Sequence, residues 1–182
     1  MKKISLYLAF TMMTAFASAQ NNAPTQITPQ LLQKMKAGIE TSIPAFKQDL
    51  YKKEFTEDQV EFAADTFRIN QLVAKRMDID YSTAGMNITV NEMAAAYDKL
   101  LNKYYNKLLN TLNTADKKTL IAAQRAWINY RDAESKLTGT LTKTEYSGGG
   151  TIQSNIATGA YADLVTARTI ALFNYYDGIV KK

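Results

Sequence analysis

Five carboxylates crowd one short stretch of the chain: Glu54, Glu57, Asp58, Glu61 and Asp65. On a helix, Glu54/Asp58, Glu57/Glu61 and Glu61/Asp65 are like-charge pairs four residues apart, each costing roughly 0.2–0.5 kcal/mol. Spacing that works against the helix can mark a surface held for a cationic partner. The plainer account is that acids in a first turn complement the helix dipole. A second cluster, Gln124, Trp127, Arg131 and Asp132, sets a large aromatic among polar groups. Gln124 and Arg131 are seven apart and share a face with Trp127. Arg131 and Asp132 are adjacent, a spacing that does not pair them squarely within one helix. This face reads either as a partner-binding surface, since Trp and Arg make good anchors, or as a polar clamp between helices with Trp127 in the core. Arg168 interrupts the apolar stripe Tyr161, Leu164, Val165, Leu172 and Tyr175. An interior cation left unpaired costs on the order of several kcal/mol, so Asp132 or Asp98 is the expected partner. Snorkelling to the surface is the alternative.

Other chemistry is excluded by composition. The 182 residues include no His and no Cys. Serine–histidine triads, thiol nucleophiles, and metal sites built on His or Cys are therefore out. Hydrolysis by paired carboxylates remains open in principle, but no pair can be placed across a cleft from the sequence. Gly148-Gly149-Gly150-Thr151 could present backbone N–H groups to an anion. It lacks the Gly-Lys-Ser/Thr ending of a phosphate loop and reads as a flexible link. The expectation is a non-catalytic protein with no cofactor and no metal.

The elements that must position these residues follow a leader. Lys2 and Lys3 precede an apolar run from Ile4 to Ala17, and Ala17-Ser18-Ala19 supplies a small-x-small cleavage pattern. Residues 1–19 read as a secretory signal peptide, too short for a comfortable membrane span. Without a cysteine at the cleavage point there is no lipid anchor, so the expected location is periplasmic or secreted, in soluble form. The whole chain carries net charge +5; without Lys2 and Lys3, 20 basic residues face 17 acidic ones. No dense basic stripe exists, and nucleic acid is a poor partner.

Residues 20–28 are polar and read as a flexible lead-in. Pro29 suits the first turn of a helix through Leu31, Leu32, Met35 and Ile39, and Pro44 predicts a break near Ser42. Thr56 and Gln59 form a capping box ahead of a helix lasting to about Met77. Residues 81–87 read as a loop, and Thr89 with Glu92 as a second capping box. Tyr97, Leu101, Tyr104, Leu108 and Leu112 form one apolar stripe. Residues 113–116 stop that helix and cap the next, which carries Leu120, Ala123, Trp127, Tyr130 and Leu137 and ends near Gly139. Residues 140–150 read as a loop before a last helix from about Thr151 to Tyr176, with Ile152 and Ile156 on its apolar side. No period-two segment argues a sheet. The fold class is all-α, an antiparallel bundle of about four to five helices forming one domain over residues 29–182.

Four elements in the second half carry a resemblance. Leu101-Asn102 with Tyr104, then Gln124-Arg125-Ala126-Trp127 with Tyr130-Arg131-Asp132, then Gly149-Gly150, then Arg168 with Leu172, resemble in order the pattern of the LprI-like lysozyme-inhibitor family. The resemblance covers about residues 90–175. It implies a small exported helical domain that binds and blocks a peptidoglycan-cleaving lysozyme; the alternative is an interaction or structural module of the cell envelope, with another envelope protein as partner. Family members typically carry cysteines near the positions of Ala133 or Glu134 and of Gly159–Tyr161, which this chain lacks. The motif residues read as architectural. The expected contact surface is the acidic patch Glu54, Glu57, Asp58, Glu61 and Asp65, or the 146–151 loop.

Overall fold

The computed structural model describes residues 24–180. The leader (1–19), the first part of the lead-in, and Lys181 and Lys182 lie outside the described residues. Seven helical segments follow in order: α1 (Pro29–Glu40), α2 (Ile43–Lys52), α3 (Glu57–Met77), α4 (Thr83–Thr111), α5 (Thr114–Leu141), α6 (Thr144–Ser147) and α7 (Ile152–Val180). The fold is all-α. It has more helices than the four or five expected: the predicted break at Pro44 separates α1 from α2 as distinct helices, and α6 adds a single turn.

Helix starts follow local chemistry. Thr28 Oγ1 accepts from Leu31 N–H, with Pro29 in the first turn. Thr56 and Gln59 make a reciprocal capping box. Asn113 Oδ1 accepts from the N–H groups of Ala115 and Asp116. α2 ends in a Schellman motif, with Phe55 N–H reaching Leu50 C=O and Glu54 N–H reaching Tyr51 C=O. Glu54 occupies the left-handed position at φ 63°, where glycine is usual.

The 81–87 loop and the second capping box are corrected. α4 already begins at Thr83, because Ser82 Oγ caps Gly85 N–H while Asp80 Oδ1 accepts from Ser82 Oγ. Gly85 is required there: a Cβ would stand 2.1 Å from Asp80 Cγ. Thr89 thus lies inside the helix, 1% exposed, and its hydroxyl accepts from Arg76 Nε. Glu92 pairs with the same arginine.

α4 and α7 form the most extensive helix contact, with α3 against α4. Gly85, Thr89 and Ala94 on α4, and Ala162, Val165 and Thr169 on α7, are buried. Thr169 Oγ1 donates within the interior, with Tyr97 C=O of α4 and Val165 C=O within reach. Phe62 of α3 stacks on Phe173 of α7 at 3.9 Å between centroids, and Tyr104 meets both edge-on. Tyr97, Leu101 and Leu108 complete this core as their spacing predicts.

α5 is different. It packs on α7 and touches other helices only marginally. Of its 28 residues only Leu120 and Gln124 are buried. Tyr130 and Leu137, expected inside, are 54% and 50% exposed. Ile152, Ile156 and Tyr175 of α7 also face out, because α5 does not wrap that side of α7. Trp127 is half-buried at the core's edge.

Candidate functional site

The motif residues assemble between α5 and α7. Arg168 Nε donates to Gln124 Oε1 at 3.0 Å. Its guanidinium also lies 5.8 Å from the Trp127 ring centroid. Arg131 reaches the same indole at 5.3 Å and Tyr161 at 5.8 Å. Two cations thus share one indole, whose electron-rich ring surface favours both. Burial pushes the Arg168 pKa below its ordinary value. The carboxylate partner expected for Arg168 is not there: Asp98 is tied to Asn102, and Asp132 to Arg131. Gln124 is neutral, so it meets Arg168 without adding a charge to desolvate.

Arg131 and Asp132 do pair, against the expectation from spacing. Arg131 Nε and a terminal nitrogen both donate to Asp132 Oδ1, at 2.8 and 2.7 Å. Arg125 and Tyr130 are exposed on α5, and Asn102 is exposed on α4 with its amide on Asp98. Leu101, Tyr104 and Leu172 are in the core. Gly149 and Gly150 both hold left-handed φ, 82° and 95°, following Gly148 at 77°. The glycine run is therefore a specified turn between α6 and α7, one that L side chains resist.

The acidic stretch is largely neutralised within the molecule. Asp58 pairs with Lys107 and accepts from Tyr176 Oη at 2.9 Å. Glu61 pairs with Lys47. Asp65 takes Lys103 at 2.6 Å and Arg68 at 3.2 Å. Burial opposes ionisation of Asp58, but hydrogen bonds from Lys107 and Tyr176 outweigh it and hold the pKa down. The Lys47 hydrogen bond lowers that of Glu61 against a smaller burial effect. Only Glu54 and Glu57 stand exposed with no ion pair among the described residues. The helix dipole account explains Glu57 and Asp58, which sit in the first turn of α3.

The end at which α5 leads through α6 into α7 carries a different surface. Leu137, Leu141, Tyr146, Ile152 and Ile156 are all 49–63% exposed around the glycine turn. Tyr146 opens the 146–151 segment expected as a contact surface, and the other four flank it. Among the described residues no group of three or more His, Cys, Asp or Glu could hold a metal ion. No helix there is long and apolar enough to cross a membrane.

Sequence reasoning missed Arg76, which is 6% exposed and bonded to Thr89 and Glu92. The spacing Phe62, Ile69, Val73, Arg76 places it on one helical face and could have found it.

No solved structure matches the chain. An uncharacterised protein of Rhizobium meliloti (strain 1021) is 30% identical over 104 residues, covering 50% of this chain and 71% of that protein. The sequence profile described as lysozyme inhibitor LprI matches residues 74–172, from the end of α3 through most of α7. That span contains every motif residue on α4, α5 and α7, and on it the chain belongs to the lysozyme inhibitor LprI family.

Proposed function

We propose that the protein is exported and binds a lysozyme, blocking its peptidoglycan-cleaving cleft without turning over a substrate. The family match over residues 74–172 carries this reading. A blocker needs only a surface that fits the enzyme, and the connected end of α5 and α7 supplies exposed apolar groups for one: Leu141, Tyr146, Ile152 and Ile156. Tyr is favoured as a binding anchor because it adds a large rigid area with one polar tip. The motif cluster around Trp127 is committed to itself and holds this end in place. The acidic stretch is the weaker contact, since Asp58, Glu61 and Asp65 are already paired.

The test is cell-wall lysis by several lysozymes of different charge, with direct binding measured at low and moderate salt on protein lacking residues 1–19. Stoichiometric inhibition that persists in salt is expected. Tyr146→Ala should weaken it by about tenfold or more, and Glu57→Gln should leave it unchanged. Inhibition that collapses with salt and with Glu57→Gln would move the contact to the acidic end. No binding to any lysozyme would overturn the reading and leave a non-catalytic envelope interaction module.

A further inference from the structure

A groove of about 440 Å³ runs between α1, α3 and α4. None of its lining residues belongs to the motif cluster, and α1 lies outside the family match. We propose that it binds a single-chain anionic amphiphile of the fatty-carboxylate class. α3 provides the floor, with α1 and α4 as walls. Ile39, Ile69, Leu72, Val73 and Met93 make the lining largely aliphatic, and no aromatic side chain contributes. An alkyl chain suits such a surface, whereas sugars and bases are commonly received on aromatic rings. The walls are helices, so no strand edge is free to pair with an extended peptide.

Charge selects the headgroup. Four cations line the groove: Lys36, Arg68, Arg76 and Lys99. Two acids, Glu40 and Glu92, face them and are already used. Glu40 accepts from Arg68 at 2.8 and 3.1 Å, and Glu92 pairs with Arg76. Lys36 on α1 and Lys99 on α4 remain exposed on the two walls, with no ion pair among the described residues. The excess of two positive charges above an aliphatic floor complements one carboxylate on an alkyl tail. The volume lies in the range of small-molecule sites.

Decanoate below its micelle concentration is the probe, followed by calorimetry and by amide shifts on the purified chain. Decanol and decyltrimethylammonium serve as neutral and cationic controls. One decanoate per chain is expected, with shifts confined to α1, α3 and α4. The double variant Lys36→Gln/Lys99→Gln changes only exposed side chains. It should weaken decanoate by about tenfold and leave decanol unaffected. Ala96→Phe, checked by its thermal melt, should block both ligands by filling the groove. Equal binding of the cationic control, insensitivity to the lysine pair, or shifts elsewhere would overturn the proposal. So would absence of decanoate binding, or cosedimentation with phosphatidylglycerol vesicles without monomer binding. Lysozyme inhibition is measured separately on the same double variant, so the two readings stand or fall independently.

Discussion

α7 is shared by two unlike interfaces. Towards α4 it presents Ala162, Val165 and Thr169, all fully buried, and the helices approach closely over most of their length. Towards α5 it presents Tyr161 and Arg168, and the contact is made by large side chains: a Gln124–Arg168 hydrogen bond and an indole between two guanidiniums. On the first side, burial of apolar surface does the holding. On the second, little is buried, and directional polar contacts fix where α5 sits. Gln124, Trp127, Arg131 and Arg168 all fall on the second side. Packing does not duplicate their role in orienting α5.

The largest test of this contrast is truncation on each side. Phe173→Ala should cost about 3–5 kcal/mol in urea unfolding, from the stack with Phe62 and the edge contact with Tyr104. Trp127→Ala should cost about 1–2 kcal/mol, since the ring is half-buried. Equal losses would break the comparison. Gly85→Ala bears on the close side at the start of α4. The new methyl must displace Asp80 from its contact with Ser82, and a loss of about 1–3 kcal/mol is expected by thermal melt.

Gln124→Ala sharpens the other side. It strips the Arg168 guanidinium of its bonded partner and should cost about 1–2 kcal/mol. Arg168→Met should cost less, because it removes the cation along with the bond. If the arginine change were the more damaging of the two, the hydrogen bond would not be what orients α5.

Acid should act where α3 meets α4 and α2, and leave the Gln124–Arg168 bond, which contains no carboxylate, in place. The carboxyls of Asp58 and Glu61 have pKa values below their ordinary 3.8 and 4.5 in the fold, so their stabilisation is complete above those values. It is lost as pH falls through the lowered folded values. Urea midpoints should therefore drop on acidification below the ordinary carboxylate range, and Asp58→Asn should flatten that drop. The smallest expected effect is a gain: Glu54→Gly relieves the left-handed cap of α2 and should add about 0.5–1 kcal/mol.

Much of the fold is legible from local chemistry. The Pro44 break, the Thr56 box, the Asn113 cap and the Tyr97–Leu108 stripe each depend on residues within a few positions of one another. What was not legible depends on tertiary placement. Tyr130 and Leu137 sit at apolar helical spacing and still face outward, because only α7 lies against α5. Thr89 and Glu92 mimic a capping box, and only Arg76 on another helix reveals their use. In the candidate site, the polar cluster was visible as a cluster, but its pairing was not. Arg168 finds an amide rather than a carboxylate, and Asp132 is satisfied by its own neighbour in sequence.

The attachment of α5 to a single neighbour also bears on how the protein meets proteases. Lys118, Arg125 and Lys136 stand exposed along α5. Cleavage at such sites needs the helix to lift and fray, and not the whole molecule to unfold. The free energy of that local detachment, set by Gln124, Trp127 and Arg168, therefore fixes how long the intact chain survives where peptidases are abundant. A trypsin time course should show early cuts within α5 while α4 and α7, though severed from each other in the chain, stay packed together and helical.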